Sequence, residues 1–315
     1  MHAVTIADKA LSWAAHADPT PGAGEVLVRV RAAGINAADR LQVMGFYPAP
    51  PGSPPDIPGL ELAGTVEAVG PGVSAWAEGD KVMAVVGGGG MAELAVVHER
   101  HLLPVPASLS WEQGGGFAET FTTAHDALFT QVGLAMGERV CIHGAAGGVG
   151  TSAVQLARAA GCVVTATVRN SGLHEAVRSL GADVVIEPDG FEDAGPFDVI
   201  LELVGAPNWP ANVSALATWG RIMIIGVGAG PTVSDFSLLD LMQKRATIRG
   251  STLRARPLEE KAAAAQAMIR HVLPRVAAGE LTIPVEATFP MSDADAAFDR
   301  FAAGGKLGKV VLLND

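Results

Sequence analysis

The stretch Gly144-Ala-Ala-Gly-Gly-Val-Gly150 follows directly on the strand-like run RVCIHG and leads directly into GGVGTSAVQLARAAG, an alanine-rich helical run closed by Gly161. No other feature constrains the fold as much. Glycines at a strand-to-helix junction put backbone N–H groups at a helix start with no Cβ in the way, which is what a dinucleotide pyrophosphate needs. The match to G-x-G-x-x-G is imperfect, because Ala145 stands at the first glycine while Gly147 and Gly150 fill the others. Context supports it. Downstream come strand CVVTATV, helix SGLHEAVRSLG with Ser171 as candidate cap, strands ADVVI and FDVILELVG, helix PNWPANVSALATWG and strand RIMIIGVG. Strands alternating with helices at this spacing predict a parallel sheet covered on both faces, an α/β doubly wound domain.

The rest of the chain has another rhythm. Residues 1 to about 112 contain EVLVRVRAAG, ELAGTVEAVG and KVMAVVG, alternating or β-branched runs bounded by glycine and proline, so a strand-rich module is expected. Between Met44 and Gly59 the prolines of GFYPAPPGSPPDIP remove backbone donors and forbid regular pairing. Long loops of this kind often border binding sites. After TIRGSTL, a helical stretch PLEEKAAAAQAMIRHVLPRVAAG is interrupted near Pro274. The tail reads strand LTIPVEATF, helix MSDADAAFDRFAAGG and strand KVVLLND, returning to the first module. At 315 residues two domains are expected, and 49% hydrophobic against 17% charged residues excludes a largely disordered chain.

A formal net charge of −11 repels a polyphosphate backbone, so nucleic acid is not expected as the partner. Two cysteines, Cys141 and Cys162, supply neither a disulfide framework nor a four-cysteine zinc lobe, which fits a reducing cytoplasm, and both are expected to pack as small apolar residues. The N-terminal MHAVTIADKALSW lacks the basic start and apolar stretch of a signal peptide. From Gly144 to Val168 only Arg158 is charged, but the glycine-rich opening and the change of periodicity argue against a membrane-spanning helix.

An aspartate or glutamate some 20 residues past the glycine loop marks NAD sites, where it accepts from the ribose 2′-hydroxyl. Here the second strand ends in Arg169-Asn170. A guanidinium holds a 2′-phosphate that a carboxylate would repel, so NADPH is expected over NADH.

Residues 29–74, from RVRAAGINAADRLQVMGFYPAPP to VEAVGPGVS, then IHGAAGGVGTSAVQLARAAG, GSTLRARPLEEK and the closing GKVVLL resemble the zinc-free quinone oxidoreductases of the medium-chain dehydrogenase/reductase superfamily. Within it the chain is similar to the branch of the tumour-suppressor-induced quinone oxidoreductase, through its Asn…Asp…Gly-x-Tyr run and a leucine-leucine-arginine-like turn. The resemblance implies a GroES-like catalytic domain from residues 1–115 and 256–315, a Rossmann dinucleotide-binding domain over 116–255, an active site in the cleft and a homodimer joined through the strand near ATIRGSTL. Zinc relatives present cysteine at Asn36 and Gly-His-Glu at Gly59-Leu60-Glu61. Leu60 cannot coordinate, and catalytic zinc needs three protein ligands, so no metal is expected. His98 and His101 have a short spacing outside any matching motif; they and His143 are read as structural.

By the same resemblance Asn36 and Tyr47 are the catalytic residues, with Tyr47, the chain's only tyrosine, a flat wall or donor for a quinone. The cofactor set comprises Asn36, Thr123, Gly147, Gly148, Val149, Gly150, Arg169, Asn170, Gly226, Val227, Ser251, Thr252 and Leu253. Relatives often place a lysine after the second strand, where this chain has Gly172 and Leu173. The implied activity is direct hydride transfer from NADPH to a quinone. The alternatives are an NADPH-dependent reductase of α,β-unsaturated carbonyls and a non-catalytic NADPH- or RNA-binding protein; the latter is disfavoured by acidity and the lack of interleaved basic and aromatic residues.

Overall fold

Along Glu25–Gly34 every second residue is buried until the strand ends, where three successive residues are covered, the alternation that EVLVRVRAAG encodes. In the computed structural model, which describes residues 1–314, this strand organises the first of two units. That unit comprises Met1–Thr122, Leu253–Gly304 and the chain from Lys309 on. Its early strands are β1 (His2–Ala7), β2 (Ala10–Ala15), β3 (Glu25–Gly34), β4 (Glu61–Val69), β5 (Lys81–Val85), β6 (Leu94–His98) and β7 (Leu102–Pro104). β1 and β2 form a separate antiparallel ribbon. Antiparallel pairing links β3 to β4 and β6, β4 to β5, and β5 to β7. The inward-facing Val26, Val28, Val30, Leu62 and Val82 form the core, each fully buried side chain contributing about 1.5–3 kcal/mol.

The second unit, Thr123–Thr252 with Gly305–Gly308, holds β8 (Arg139–Ile142), β9 (Val163–Thr167), β10 (Val184–Ile186), β11 (Phe197–Glu202), β12 (Leu216–Ile224) and β13 (Thr247–Gly250). All pair in parallel, in the order β10-β9-β8-β11-β12-β13. Val140, Cys141, Ile142, Val199, Ile200 and Leu201 are all fully buried, as expected of strands covered on both faces. The chain winds outward from β8 through β9 to β10, then returns to start again at β11. The reversal falls between β8 and β11, and it is at the carboxyl ends of strands at such a point that doubly wound sheets take their ligands.

Back in the first unit, β14 (Val285–Pro290) pairs in parallel with β15 (Lys309–Leu313), and β15 pairs antiparallel with β3. The expected return of the tail is thus observed. Helix Ala294–Ala302 buries Ala294, Ala297 and Phe298 against the same core.

Two local expectations are corrected. The helix expected over PNWPANVSALATWG stops at Ala215, and Leu216 already opens β12, in register with Phe197 of β11. Strand pairing overrides the helical pattern there. The candidate cap Ser171 lies inside a short 3-10 turn, Ser171–Leu173, and Asn170 caps it, its side-chain oxygen accepting from the Gly172 N–H at 3.1 Å. Two adjacent cap-competent residues left the choice to tertiary structure.

Candidate functional site

The glycine loop begins where β8 ends. Gly144 adopts φ +60°, a conformation open to glycine at little cost. The left-handed residue thus falls one position before Ala145, which explains how alanine occupies the first glycine of the fingerprint. The Ala145 N–H donates to the Thr167 carbonyl at 3.2 Å and Gly147 N–H to Gly144 at 3.0 Å, closing the turn. Helix Gly148–Ala159 follows, with Gly147 at its N-cap, no capping side chain and no acidic residue in the first turn. Its N–H groups and the positive end of its dipole are left for an anion.

The glycines differ in what they do. A Cβ on Gly150 would lie 2.4 Å from the Gly144 carbonyl oxygen and 2.6 Å from Ala145 Cα, so helix and loop touch backbone to backbone. A Cβ on Gly147 would meet only the Gly144 oxygen, at 3.3 Å. One glycine is needed for packing, the other keeps the cradle bare.

Below the loop, fully buried His143 bonds Thr167 at 3.0 Å through Nδ1 and Asn212 at 2.8 Å through Nε2. Burial lowers its pKa, opposed by Glu202. Glu202 Oε1 accepts from the Val204 and Gly205 N–H groups at 2.7 and 2.8 Å, and Oε2 from Asn212 at 2.7 Å. This network fixes the β8, β9 and β11 ends, and it matches the structural role expected of His143. A segment distant in sequence joins them: Gly308 N–H donates to Ala146 at 2.8 Å and pairs with Gly147 in a parallel bridge. A Cβ on Gly305 would lie 3.8 Å from Asn170 Nδ2. Lys306 therefore sits in a stretch beside the phosphate loop, a placement that the long separation in sequence does not announce.

Gly147, Gly148, Val149, Gly150, Arg169, Asn170, Gly226, Val227, Ser251 and Thr252 all lie past the carboxyl ends of the parallel strands. Arg169 is exposed, with no hydrogen bond or ion pair to another described residue. A Cβ on Gly226 would lie 2.3 Å from the Leu203 carbonyl oxygen, so that turn also requires glycine. Val227 is exposed, and the Ser251 N–H donates to Ile224 at 3.3 Å. Thr123 is buried inside helix Ala118–His125, not at its cap.

Asn36, Tyr47 and Leu253 belong to the first unit. There Asn36 is part of a buried charge cluster. The Lys309 ammonium donates to Asn36 Oδ1 and the Ile35 carbonyl at 2.7 and 2.8 Å, and lies 2.7 Å from Glu61 Oε1. Asn36 Nδ2 donates to Glu61 at 3.0 Å and to the Gly34 carbonyl at 3.2 Å, so both amide hydrogens are engaged. Glu61 Oε2 accepts from the Glu119 N–H at 2.8 Å. Fully buried Asp39 accepts from the Asn36 and Gly59 N–H groups at 2.8 and 3.0 Å. Burial raises its carboxyl to about 6, with those two donors, Lys309 and Arg254 opposing. Asp39 and Glu61 are balanced by Lys309 and Arg254, all buried.

This donor set does not suit zinc. An ammonium sits between the Asn36 and Glu61 oxygens, Leu60 is apolar, and among the described residues no three His, Cys, Asp or Glu side chains converge as metal ligands. His98 and His101 pack ring to ring at 5.5 Å, and Cys141 and Cys162 are both buried, the Cys162 thiol donating to the Ala135 carbonyl at 3.3 Å. Burial pushes the Cys141 thiol up.

Tyr47 is half-buried in the irregular proline loop. Burial raises its phenol pKa, and Arg254 pulls the other way. Arg254 itself was missed by the sequence reading: buried and two hundred residues away, it bonds the loop directly. Its only trace was the leucine-leucine-arginine-like turn.

Residues 22–107 match the alcohol dehydrogenase GroES-like domain, and residues 148–270 the zinc-binding dehydrogenase family. The chain is 33% identical to quinone oxidoreductase of Lama guanicoe over 312 residues, covering 94% of this chain and 90% of the relative. It superposes on an alcohol dehydrogenase superfamily protein from Novosphingobium aromaticivorans with TM-score 0.88 and 30% identity, both chains covered completely. A mycobacterial protein, Rv1454c, solved in complex with NADPH, gives TM-score 0.88 at 27% identity, again over 100% of each chain. Among the described residues no helix is long and apolar enough to cross a membrane.

Proposed function

Because the chain belongs to the quinone oxidoreductase family of the medium-chain dehydrogenase/reductase superfamily, and is thus an oxidoreductase using a nicotinamide cofactor, we propose that it reduces quinones with NADPH and without zinc. The observation that carries this reading is the bare helix start at Gly147–Gly150, uncapped and free of carboxylates. Bound NADPH supplies a hydride from nicotinamide C4, and with one proton from solvent the quinone becomes a hydroquinone.

In this reading the Gly147, Gly148, Val149 and Gly150 backbone holds the pyrophosphate. Gly226, Val227, Ser251, Thr252 and Leu253 line the nicotinamide half, and Thr123 contacts its carboxamide. Asn36 has no amide hydrogen to spare, so it contributes the second lone pair of Oδ1 as an acceptor. Tyr47 offers a flat face and a hydroxyl that donates toward the developing oxyanion. A quinone delocalises that charge, which removes the need for a Lewis acid.

Steady-state kcat/KM for NADPH with an ortho-quinone, a para-quinone and an enal tests the proposal. A quinone is expected to be the best acceptor; a higher value for the enal would replace this reading with that of an enone reductase. Arg169, with Asn170 beside it, is assigned to the 2′-phosphate. Arg169→Ala is expected to weaken NADPH by about 10–100-fold, the worth of about 1.5–3 kcal/mol for a charged bond, while leaving NADH unchanged. Equal NADPH affinity in the two proteins would refute the assignment.

The exposed outer strand β13 and the nearby Leu238 and Met242, 68% and 73% exposed, support a homodimer joined through this edge. Light scattering is expected to give twice the 32.2 kDa chain mass; a monomer would contradict it.

A further inference from the structure

An arginine only 3% exposed has to place its donors inside the protein. Arg254 places them on three segments. Nε donates to the Gly87 carbonyl and Nη1 to the Tyr47 carbonyl, both at 2.8 Å, and Nη2 donates to Gln42 Oε1. Its Cζ lies 5.0 Å from the centre of the Tyr47 ring, within cation–π range. Gln42 extends the restraint, because its Nε2 donates to the Pro55 carbonyl at 3.2 Å. Gly87 lies against the same loop: a Cβ there would be 2.2 Å from Ser53 Oγ and 3.0 Å from Pro50 Cγ. The proline loop is thereby held near both ends by one side-chain network, although its prolines deny it a hydrogen-bond ladder of its own.

We propose that Arg254 is a positioning residue, which fixes the Tyr47 ring and so sets the wall against which a flat acceptor packs. The inference rests on Tyr47 serving the acceptor in the proposed reaction. Arg254 follows directly on Ser251-Thr252-Leu253 in the chain. The charge of Arg254 also favours the phenolate of Tyr47, against burial and the Glu119 carboxylate.

Tyr47 is the only tyrosine, so protein grown on 3-fluorotyrosine carries a single fluorine resonance that needs no assignment. In Arg254→Met that resonance is expected to move toward the free amino-acid position and the phenol to titrate at higher pH. Quinone kcat/KM is expected to fall by about 10–100-fold, as for a reacting partner displaced by about an ångström. Arg254→Lys retains the charge without the fork; it keeps the titration near wild type while losing part of kcat/KM. Should Arg254→Met not fold, Gln42→Met, which removes one acceptor, is expected to move the resonance in the same direction. A fluorine shift and titration unchanged in the folded variants would overturn the inference. A displaced resonance with undiminished quinone turnover would overturn the role in the reaction. Failure of the wild-type protein to oxidise NADPH with any quinone, while the variants show the fluorine response, would sink the proposed function and leave the Arg254–Tyr47 clamp standing.

Discussion

Gly150→Ala is expected to abolish measurable NADPH binding and to destabilise the protein by about 2–4 kcal/mol, at or beyond the upper range of overpacking changes. The new methyl would sit 2.4 Å from the Gly144 oxygen and 2.6 Å from Ala145 Cα. Both are backbone atoms, so no rotamer change relieves the clash. The helix start has to move off the loop, and the aligned N–H groups move with it. Gly147→Ala is the informative partner. Its Cβ meets one atom at 3.3 Å, and its backbone at φ −75° suits alanine. Denaturant stability is therefore expected to change by less than about 1 kcal/mol, while NADPH affinity falls at least about tenfold because the cradle is filled. Isothermal titration alongside urea unfolding separates the two roles. Wild-type NADPH affinity in Gly150→Ala would show that the loop does not bind the cofactor.

Lys309→Met is expected to cost about 3–5 kcal/mol, the usual result of stripping one partner from a buried ion pair. Lys309 and Glu61 are 3% and 0% exposed at the side chain and 2.7 Å apart. Without the ammonium, the Glu61 carboxylate keeps only the Asn36 amide and the Glu119 N–H. Changing Glu61 to Gln as well removes that uncompensated charge, and the double variant is expected to recover at least about 1 kcal/mol relative to Lys309→Met alone. Chemical denaturation measures both. A loss below about 1 kcal/mol in the single variant would mean that the pair is not desolvated as described.

What was legible in the sequence was local. The glycine run, the alternation of EVLVRVRAAG and the strand–helix rhythm after Leu134 depend on neighbours a few residues apart, and each led to the element observed. The imperfect fingerprint was legible too: the positive φ belongs to Gly144, which adopts it at less cost than Ala145 would. The helix over PNWPANVSALATWG failed where Leu216 found a strand partner in β11. The charge cluster left no periodic trace. Lys309 reaches Asn36 across 273 positions and Arg254 reaches Gln42 across 212. The first of these pairings is set by sheet topology, by β15 lying beside β3. The ammonium that engages Asn36 is visible only once the tail has folded back.

The central claim is that hydride passes directly from a nicotinamide held at the glycine loop to a quinone, with no metal taking part. Stopped-flow oxidation of NADPH deuterated at C4, by protein exhaustively treated with chelator, tests it most directly. The account predicts one bound NADPH per chain, a primary isotope effect on its oxidation by quinone, and a rate indifferent to chelation. Loss of activity on chelation, restored by stoichiometric zinc, or protein that binds no reduced nicotinamide, would contradict it.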